Sequence, residues 1–437
     1  MHHVVNWRLA TILWVVSASL LAIAVPNAQG DYLGASFGPN FFDGSIARFD
    51  DAGSPIAGGS IANGTGGLGF PQGVTVGPDG TIYVSSSNLS TGAGEILHYS
   101  ASGTSLGLFA TLPFDPPASP GGNPTPPSPA RLKFGPDGNL YVADMAGSAV
   151  RVFNGATGAP LADAVTGLSG PTGLTFGPDG ALYVGSFNTQ SVVRVRNGQT
   201  QIIISPDPQD PDPLLTPSSI LVLPNNHLLV VDLYRNRILQ YDANGGNRSV
   251  FAVIPPAIPD PLPQEVSVPS NNPSDLAFDP NGNVLVSVLG LTFPPDTPGA
   301  ILRYDINGGG PATLTSGVLG ISAIAWIAPA GSVKGDYDGN GLVNGADYNK
   351  WKADFGKFVA SGSGADGNID GIVDAADYTV WRQHEGLQVG SGASASAGVP
   401  EPASCLLLGL GGFLVTAARM AGRVGRFGER SRCCGQQ

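Results

Sequence analysis

One phrase recurs along the chain and limits what it can fold into. It is a proline, two variable residues and alternating apolar residues, then a tight turn and a second alternating run. It reads Pro71-Gln72-Gly73-Val74-Thr75-Val76, turn Gly77-Pro78-Asp79-Gly80, then Ile82-Tyr83-Val84. It returns at Pro129 (turn Gly135 to Gly138), Pro171 (Gly177 to Gly180), Pro217 (Leu223 to Asn226) and Pro273 (Asp279 to Gly282). A degenerate sixth copy runs from Ile321 through Ile324 and Trp326 to Pro329. Period-two alternation specifies strands. Pro presets φ at the first corner, Asp bonds its own backbone, and Gly takes the positive φ of a tight hairpin. A third alternating strand follows each pair, at Ile96–Tyr99, Val150–Phe153, Val193–Val195, Ile238–Tyr241 and Ile301–Tyr304. Copies begin 42 to 58 residues apart, near the length of a four-stranded propeller blade.

The strand count predicts closure. The sixth copy lacks its second and third strands, while Tyr32–Ala35 and Ile46–Asp50 stand at the N-terminus without a first. The expected fold is therefore mainly β. It is a six-bladed β-propeller over residues 31–328, with the N-terminal strands completing the last blade and removing exposed edges. The chain's 63 Gly and 38 Pro are concentrated in hairpin turns and inter-blade loops, and 42% hydrophobic residues argue against disorder. A net charge of −12 argues against a nucleic-acid partner.

The phrases resemble NHL repeats and the related streptogramin-lyase and gluconolactonase-like six-bladed propellers. Phe134 to Asp144, FGPDG followed by LYVAD, is the nearest match. The resemblance implies a fold but no single activity, because propellers host many functions. Lyases of this group act through a histidine. Here His98 holds an outward strand rank and His227 the rank after a hairpin turn, so a histidine-based mechanism is not expected. A gluconolactonase-like metal site would need a Glu at the mouth, and Glu95 and Glu265 hold other ranks. At the ends of the second strands stand Asp144 and Asp232, with Asn88 and Asn188 at neighbouring ranks. These four are the candidate ligand site at the propeller mouth. The long Pro-rich insertions, Pro113 to Pro129, Pro206 to Pro217, Pro255 to Pro273 and Leu291 to Pro298, all open on one face. That face is expected to take an unidentified ligand or partner.

After a linker over 329–335 the composition changes. Asp336, Asp338, Asn340, Asn344 and Asp347 place oxygen donors at positions 1, 3, 5, 9 and 12 of a twelve-residue loop. The Leu342 carbonyl stands at position 7 and Gly341 makes the bend at 6. The pattern recurs as Asp366, Asn368, Asp370, Asp374 and Asp377, with the Ile372 carbonyl and Gly371. Hard oxygen donors without His or Cys predict two calcium ions. Each loop leads into a helix, with aromatics at Tyr348 and Trp351 and at Tyr378 and Trp381. Residues 336–386 resemble a type I dockerin. The resemblance implies a cohesin-domain partner in an extracellular, often polysaccharide-degrading, assembly. Dockerins use loop positions 10 and 11, often Ser/Thr; here they are Gly345-Ala346 and Ala375-Ala376.

Both ends carry targeting signals. Residues 1–28 read as a signal peptide, with Arg8 before an apolar run from Leu9 to Val25. After a Gly/Ser/Ala linker over 387–398, residues 399–432 hold Val399-Pro400-Glu401-Pro402, an apolar run to Ala418 and five arginines. This resembles a PEP-CTERM sorting signal. It implies a transient inner-membrane tail, with the arginines inside, cut near Pro400, Glu401 and Pro402 by an exosortase-type enzyme. Cys405 lies in that segment and Cys433 and Cys434 directly follow it, so the processed chain would have no disulfide. The expected product is a secreted or cell-surface binding or structural protein, with catalysis left open. The alternative is a propeller lyase, lactonase or glycan-active hydrolase in a polysaccharide-degrading assembly.

Overall fold

The hairpin turns are built alike, and each is closed by its own side chain. In the first, the Asp79 carboxylate accepts the backbone N–H of Thr81 at 3.0 Å. Asp137, Asp179 and Asp279 do the same for Asn139, Ala181 and Asn283, and Asn225 does so for His227. Gly80 and Gly138 have φ of 76° and 75°. A Cβ added at either would meet nothing, so the backbone angle alone selects glycine there. Asn226 fills this place in the fourth copy, at φ 61°.

The computed structural model describes residues 30–38, 43–56, 58–116, 123–254, 272–290, 299–318, 320–329 and 332–388. Among these, six antiparallel sheets form a ring. Their inner strands are Phe70–Val76, Pro129–Phe134, Pro171–Phe176, Pro217–Val222, Pro273–Phe278 and Ile321–Ile327, numbered here as blades 1 to 6. Each inner strand packs beside the next, and the sixth returns to the first. Blades 1 to 5 are four-stranded meanders. Blade 6 is finished by Asp31–Ser36, which pairs Leu33 with Ala325 and Gly34 with Ile324, and by Ser45–Phe49 outside it. The closure expected from the strand count is therefore present.

Two features go beyond the sequence reading. Every inner strand of blades 1 to 5 carries a register shift just after its proline. Such a bulge turns the following residues and bends the strand. The outer strands, such as Ser105–Thr111 and Gln199–Ile204, have one buried residue each, so their apolar residues do not mark an inner face.

The core lies between blades. Six clusters of buried side chains each join two neighbours. Leu276 and Val286 of blade 5, for example, pack with Leu229 and Val231 of blade 4. Burial at each wall, at roughly 25 cal/mol per Å² of apolar area, makes the ring cooperative.

The segment from Ser332 to Gln388 forms a small helical module on the face of the hairpin turns. The Ala360 N–H bonds the carbonyl of turn residue Asp279 at 3.1 Å. The Lys334 amine reaches the Pro78 carbonyl at 3.1 Å, and the Phe358 ring meets Phe278 edge-on. Inside the module, Tyr337, Val343, Val359, Val373 and Trp381 form the core. Helices α1 (Gly345–Asp354) and α2 (Ala375–His384) bring Tyr348, Trp351, Tyr378 and Trp381 together, as their spacing predicts. The signal segment, the 399–432 tail and parts of the Pro-rich insertions lie outside the described residues. No described helix is long and apolar enough to cross a membrane.

Candidate metal centre

The two Asp-rich loops fold as near copies. In the first, Asp336 accepts the N–H groups of Asn340 and Gly341. Asp338 accepts from Asn340 and Asn340 from Leu342. In the second, Asp366 accepts from Asp370 and Gly371, Asn368 from Asp370, and Asp370 from Ile372. Gly341 and Gly371 make the bend at φ 85° and 84°. Sequence spacing thus becomes geometry: short side chains pull the loop backbone around a common centre.

The last carboxylate of each loop has a second job. Asn344 and Asp374 are N-caps, and Asp347 and Asp377 complete the capping boxes by accepting the cap N–H at 2.7 Å. Such a box satisfies two otherwise orphaned helix donors. Asp347 also accepts from Tyr337 and Asp338, and Asp377 from Asn368. Each loop is tied to the partner half. Gly386 and Leu387 zip onto Val343, and Gly356 and Lys357 onto Val373. Trp351 donates to the Asp374 carbonyl at 2.7 Å and Trp381 to the Asn344 carbonyl at 2.9 Å.

The electrostatics suit a cation. One oxygen each from Asp336, Asp338 and Asp347 lies within 4.8 Å of the others. In the second loop burial raises Asp366 well above the carboxylate range, and Asp370 and Asp377 add repulsion. Burial likewise raises Asp370 and pushes Asp377 to about 6. Crowded, desolvated carboxylates disfavour their charged forms unless a positive partner is present. The donor set is all oxygen, which fits a hard divalent cation. The second loop differs at position 4. Ile369 stands at φ 70°, where the first loop has Gly339 at 72°. A β-branched residue in that region is strained by about 1–3 kcal/mol.

The propeller candidates have local roles. Asp144 is fully buried, accepts from the Ser128 and Gly147 N–H groups and pairs with Arg151 at 3.1 Å. Asp232 is also fully buried, accepts from Thr216 and pairs with Arg237 at 2.9 Å. The same arginines reach into the preceding insertions, Arg151 to Asp115 at 2.7 Å and Arg237 to Asp212. Asn88 caps its own loop through Ser90 and Thr91 and donates to Glu95. Asn188 bonds the Ser169 carbonyl through its backbone. Among the described residues no hydrogen bond joins any two of the four, and each serves its own blade.

The histidines are tied to their blades as well. His98 stacks on Tyr83 at 4.4 Å and shares a hydrogen bond with Thr81 at 2.6 Å. Burial lowers its pKa, with Asp79 opposing. His227 shares one with Gln240 at 2.7 Å.

No protein-family model and no curated protein matches the chain. Solved structures of similar shape include a chain of a nidogen/laminin complex, with 14% identity and TM-score 0.47, covering 68% of this chain and 98% of that one. A protein of unknown function from Bacteroides caccae has 16% identity and TM-score 0.45, covering 68% and 99%. Virginiamycin B lyase from Staphylococcus aureus has 17% identity and TM-score 0.38, covering 58% and 71%. The six-bladed assignment stands on the strand pairing of the chain itself: a mainly β propeller closed by both ends, followed by a small helical region with an acidic cluster.

Proposed function

We propose that this chain is an exported, modular binding protein of the cell surface or extracellular matrix. Its propeller offers the loop-bearing face to a ligand or partner. The paired Asp-rich loops hold two calcium ions and keep the module folded against the opposite face. The observation that carries this reading is the congruence of the loops. Asp336 and Asp366 each accept the N–H groups at positions 5 and 6 of their loop, the last carboxylate of each loop closes a capping box, and burial leaves the second set short of positive charge.

The dockerin-like resemblance extends the proposal to a cohesin-domain partner. Gly345, Ala346, Ala375 and Ala376 are exposed at the first turns of the two helices, where that contact would fall. Without hydroxyls there, such a contact would rest on shape and apolar area. The tail resemblance extends it to cleavage near Pro400, Glu401 and Pro402 and release or attachment outside the cell. On the loop-bearing face, Arg–Asp pairs staple two of the insertions to their blades, which supports a preorganised binding surface.

Equilibrium dialysis of the full chain against Ca²⁺ tests the metal reading. Two ions per chain are expected, with Asp336→Ala and Asp366→Ala each removing one. Absence of saturable binding would overturn it. A pull-down from the outer cell surface, with and without Ca²⁺, tests the partner.

A further inference from the structure

The inner strands repeat, so their inward ranks can be compared blade by blade. Two residues past Pro71, Pro129, Pro171, Pro217, Pro273 and Ile321 stand Gly73, Arg131, Gly173, Ser219, Asp275 and Ala323. Two residues further stand Thr75, Lys133, Thr175, Leu221, Ala277 and Ala325. Each rank forms a layer across the axis of the ring.

The first layer is closed and neutral. Arg131 of blade 2 pairs with Asp275 of blade 5 at 3.2 Å. Its guanidinium also donates to the carbonyls of Gln72, Ser274 and Ser322. Asp275 is further held by the Ser219 hydroxyl at 2.7 Å and the Ile324 N–H at 3.1 Å. One side chain therefore bridges blades 1, 2, 5 and 6 and blocks the channel.

The second layer is open. All six of its residues line a cavity of about 410 Å³. The module forms the opposite wall, with Phe358 to Ser361 and Asn368 to Ile372. The cavity extends under the turns of blades 2 and 3, where Pro136, Gly138 and Gly180 are exposed, so solvent reaches it. The layer is divided by chemistry. Thr75, Lys133 and Thr175 sit on three successive blades and form a polar arc. Leu221, Ala277 and Ala325 form an apolar arc on the other three. Among the described residues, the Lys133 amine and the hydroxyls of Thr75 and Thr175 have no hydrogen-bond partner. Asp275, the carboxylate that could neutralise Lys133, is already held by Arg131. Burial therefore lowers the pKa of Lys133, Asp275 opposes this, and Arg131 lowers it further.

We propose that this cavity binds a small organic carboxylate with a short apolar body. The carboxylate would lie against Lys133 between the Thr75 and Thr175 hydroxyls, and the body against Leu221, Ala277 and Ala325. A lone cation beside two unpaired hydroxyls, facing an apolar wall, matches an acid with one charged end. A charge-assisted hydrogen bond in a shielded site is stronger than a neutral one, and the cavity is in the size range of small-molecule sites. The site rests on propeller residues and the observed module wall, and its failure would leave the calcium reading untouched.

Hexanoate is the probe, with hexanamide as its uncharged counterpart, titrated calorimetrically into the full chain at pH 7. One hexanoate per chain is expected, bound at least ~10-fold tighter than hexanamide, the worth of about one net charge-assisted bond. Lys133→Met should bring hexanoate down to the hexanamide level, and Thr75→Val with Thr175→Val should weaken hexanoate more than hexanamide. Lysine ¹³Cε NMR of the unaltered chain gives a second readout that needs no variant. The Lys133 signal should move with hexanoate and not with hexanamide. Equal affinity for the two probes, wild-type hexanoate affinity in Lys133→Met, or a Lys133 signal indifferent to hexanoate would each overturn the proposal.

Discussion

Removing the cation should make the module more stable in mild acid than at neutrality, the reverse of ordinary acid denaturation. In the metal-free loop, burial pushes Asp377 from 3.8 to about 6, against the N–H groups of Asp374 and Asn368 that favour its charge. Asp366 and Asp370 are raised in the same direction. A carboxyl whose folded pKa exceeds its unfolded one is favoured by folding in its protonated form. Its contribution is complete below about pH 4 and is lost as pH climbs through about 6. For Asp377 alone the rise converts to roughly 3 kcal/mol. Solvent at the loop rim screens it, so about 2 kcal/mol is expected between pH 4 and pH 7. Helices α1 and α2 are the α-helices of the described residues, so urea melts of the calcium-free chain followed at 222 nm report the module. The midpoint should fall from pH 4 to pH 7, and Asp377→Asn should flatten that dependence. With Ca²⁺ present the trend should invert, because the ion binds the charged forms. A calcium-free midpoint that rises with pH, or an unchanged slope in Asp377→Asn, would refute the reasoning.

Two further outcomes separate structural from ornamental charges and test the module's seat. Asp144→Ala should cost about 2–3 kcal/mol in denaturant melts, because it leaves the Arg151 Nε and the Ser128 and Gly147 N–H groups unpaired while Asp115 and Asp163 still hold the rest of the guanidinium. Asp163→Ala, on the exposed side of the same arginine, should cost under about 1 kcal/mol. Phe358→Ala removes the ring packed on Phe278 and should weaken the seat by about 1–2 kcal/mol. Hydrogen exchange should then quicken at Ala360, whose N–H bonds Asp279, while Val343 in the module interior stays protected.

The blades were legible because inner strands, turns and third strands each carry a local signal. Gly80 and Asp79 encode their hairpin by φ and by a side-chain bond, and neither needs the rest of the fold. The outer strands carry no such signal. Gln199–Ile204 is paired by its backbone while most of its side chains face water, so its isoleucines show no in-and-out alternation. The Asp-rich loops were legible for the opposite reason: all the side chains that shape each one lie within twelve residues. Sites formed across blades were not. Asp144 and Asp232 look like mouth ligands by rank, but Arg151 and Arg237 claim them from the adjacent strand. Arg131 meets Asp275 from the far side of the ring. The one available clue was that Arg131, Lys133 and Asp275 are charged at ranks otherwise filled by Gly, Ser, Thr, Ala and Leu.

The closing blade also orders events in time. Asp31–Ser36 is made first, yet its inner partner Ile321–Ile327 is made last, and the Ser322 hydroxyl finds the Ala35 carbonyl 287 residues away. Until then the first strand has no inner partner and blade 1 no neighbour on that side. Loop closure over such a span is slow, and open strand edges invite pairing with other chains. A partly synthesised chain is therefore an unfinished arc with two adhesive ends. Its solubility depends on staying unfolded or escorted until the sixth inner strand arrives.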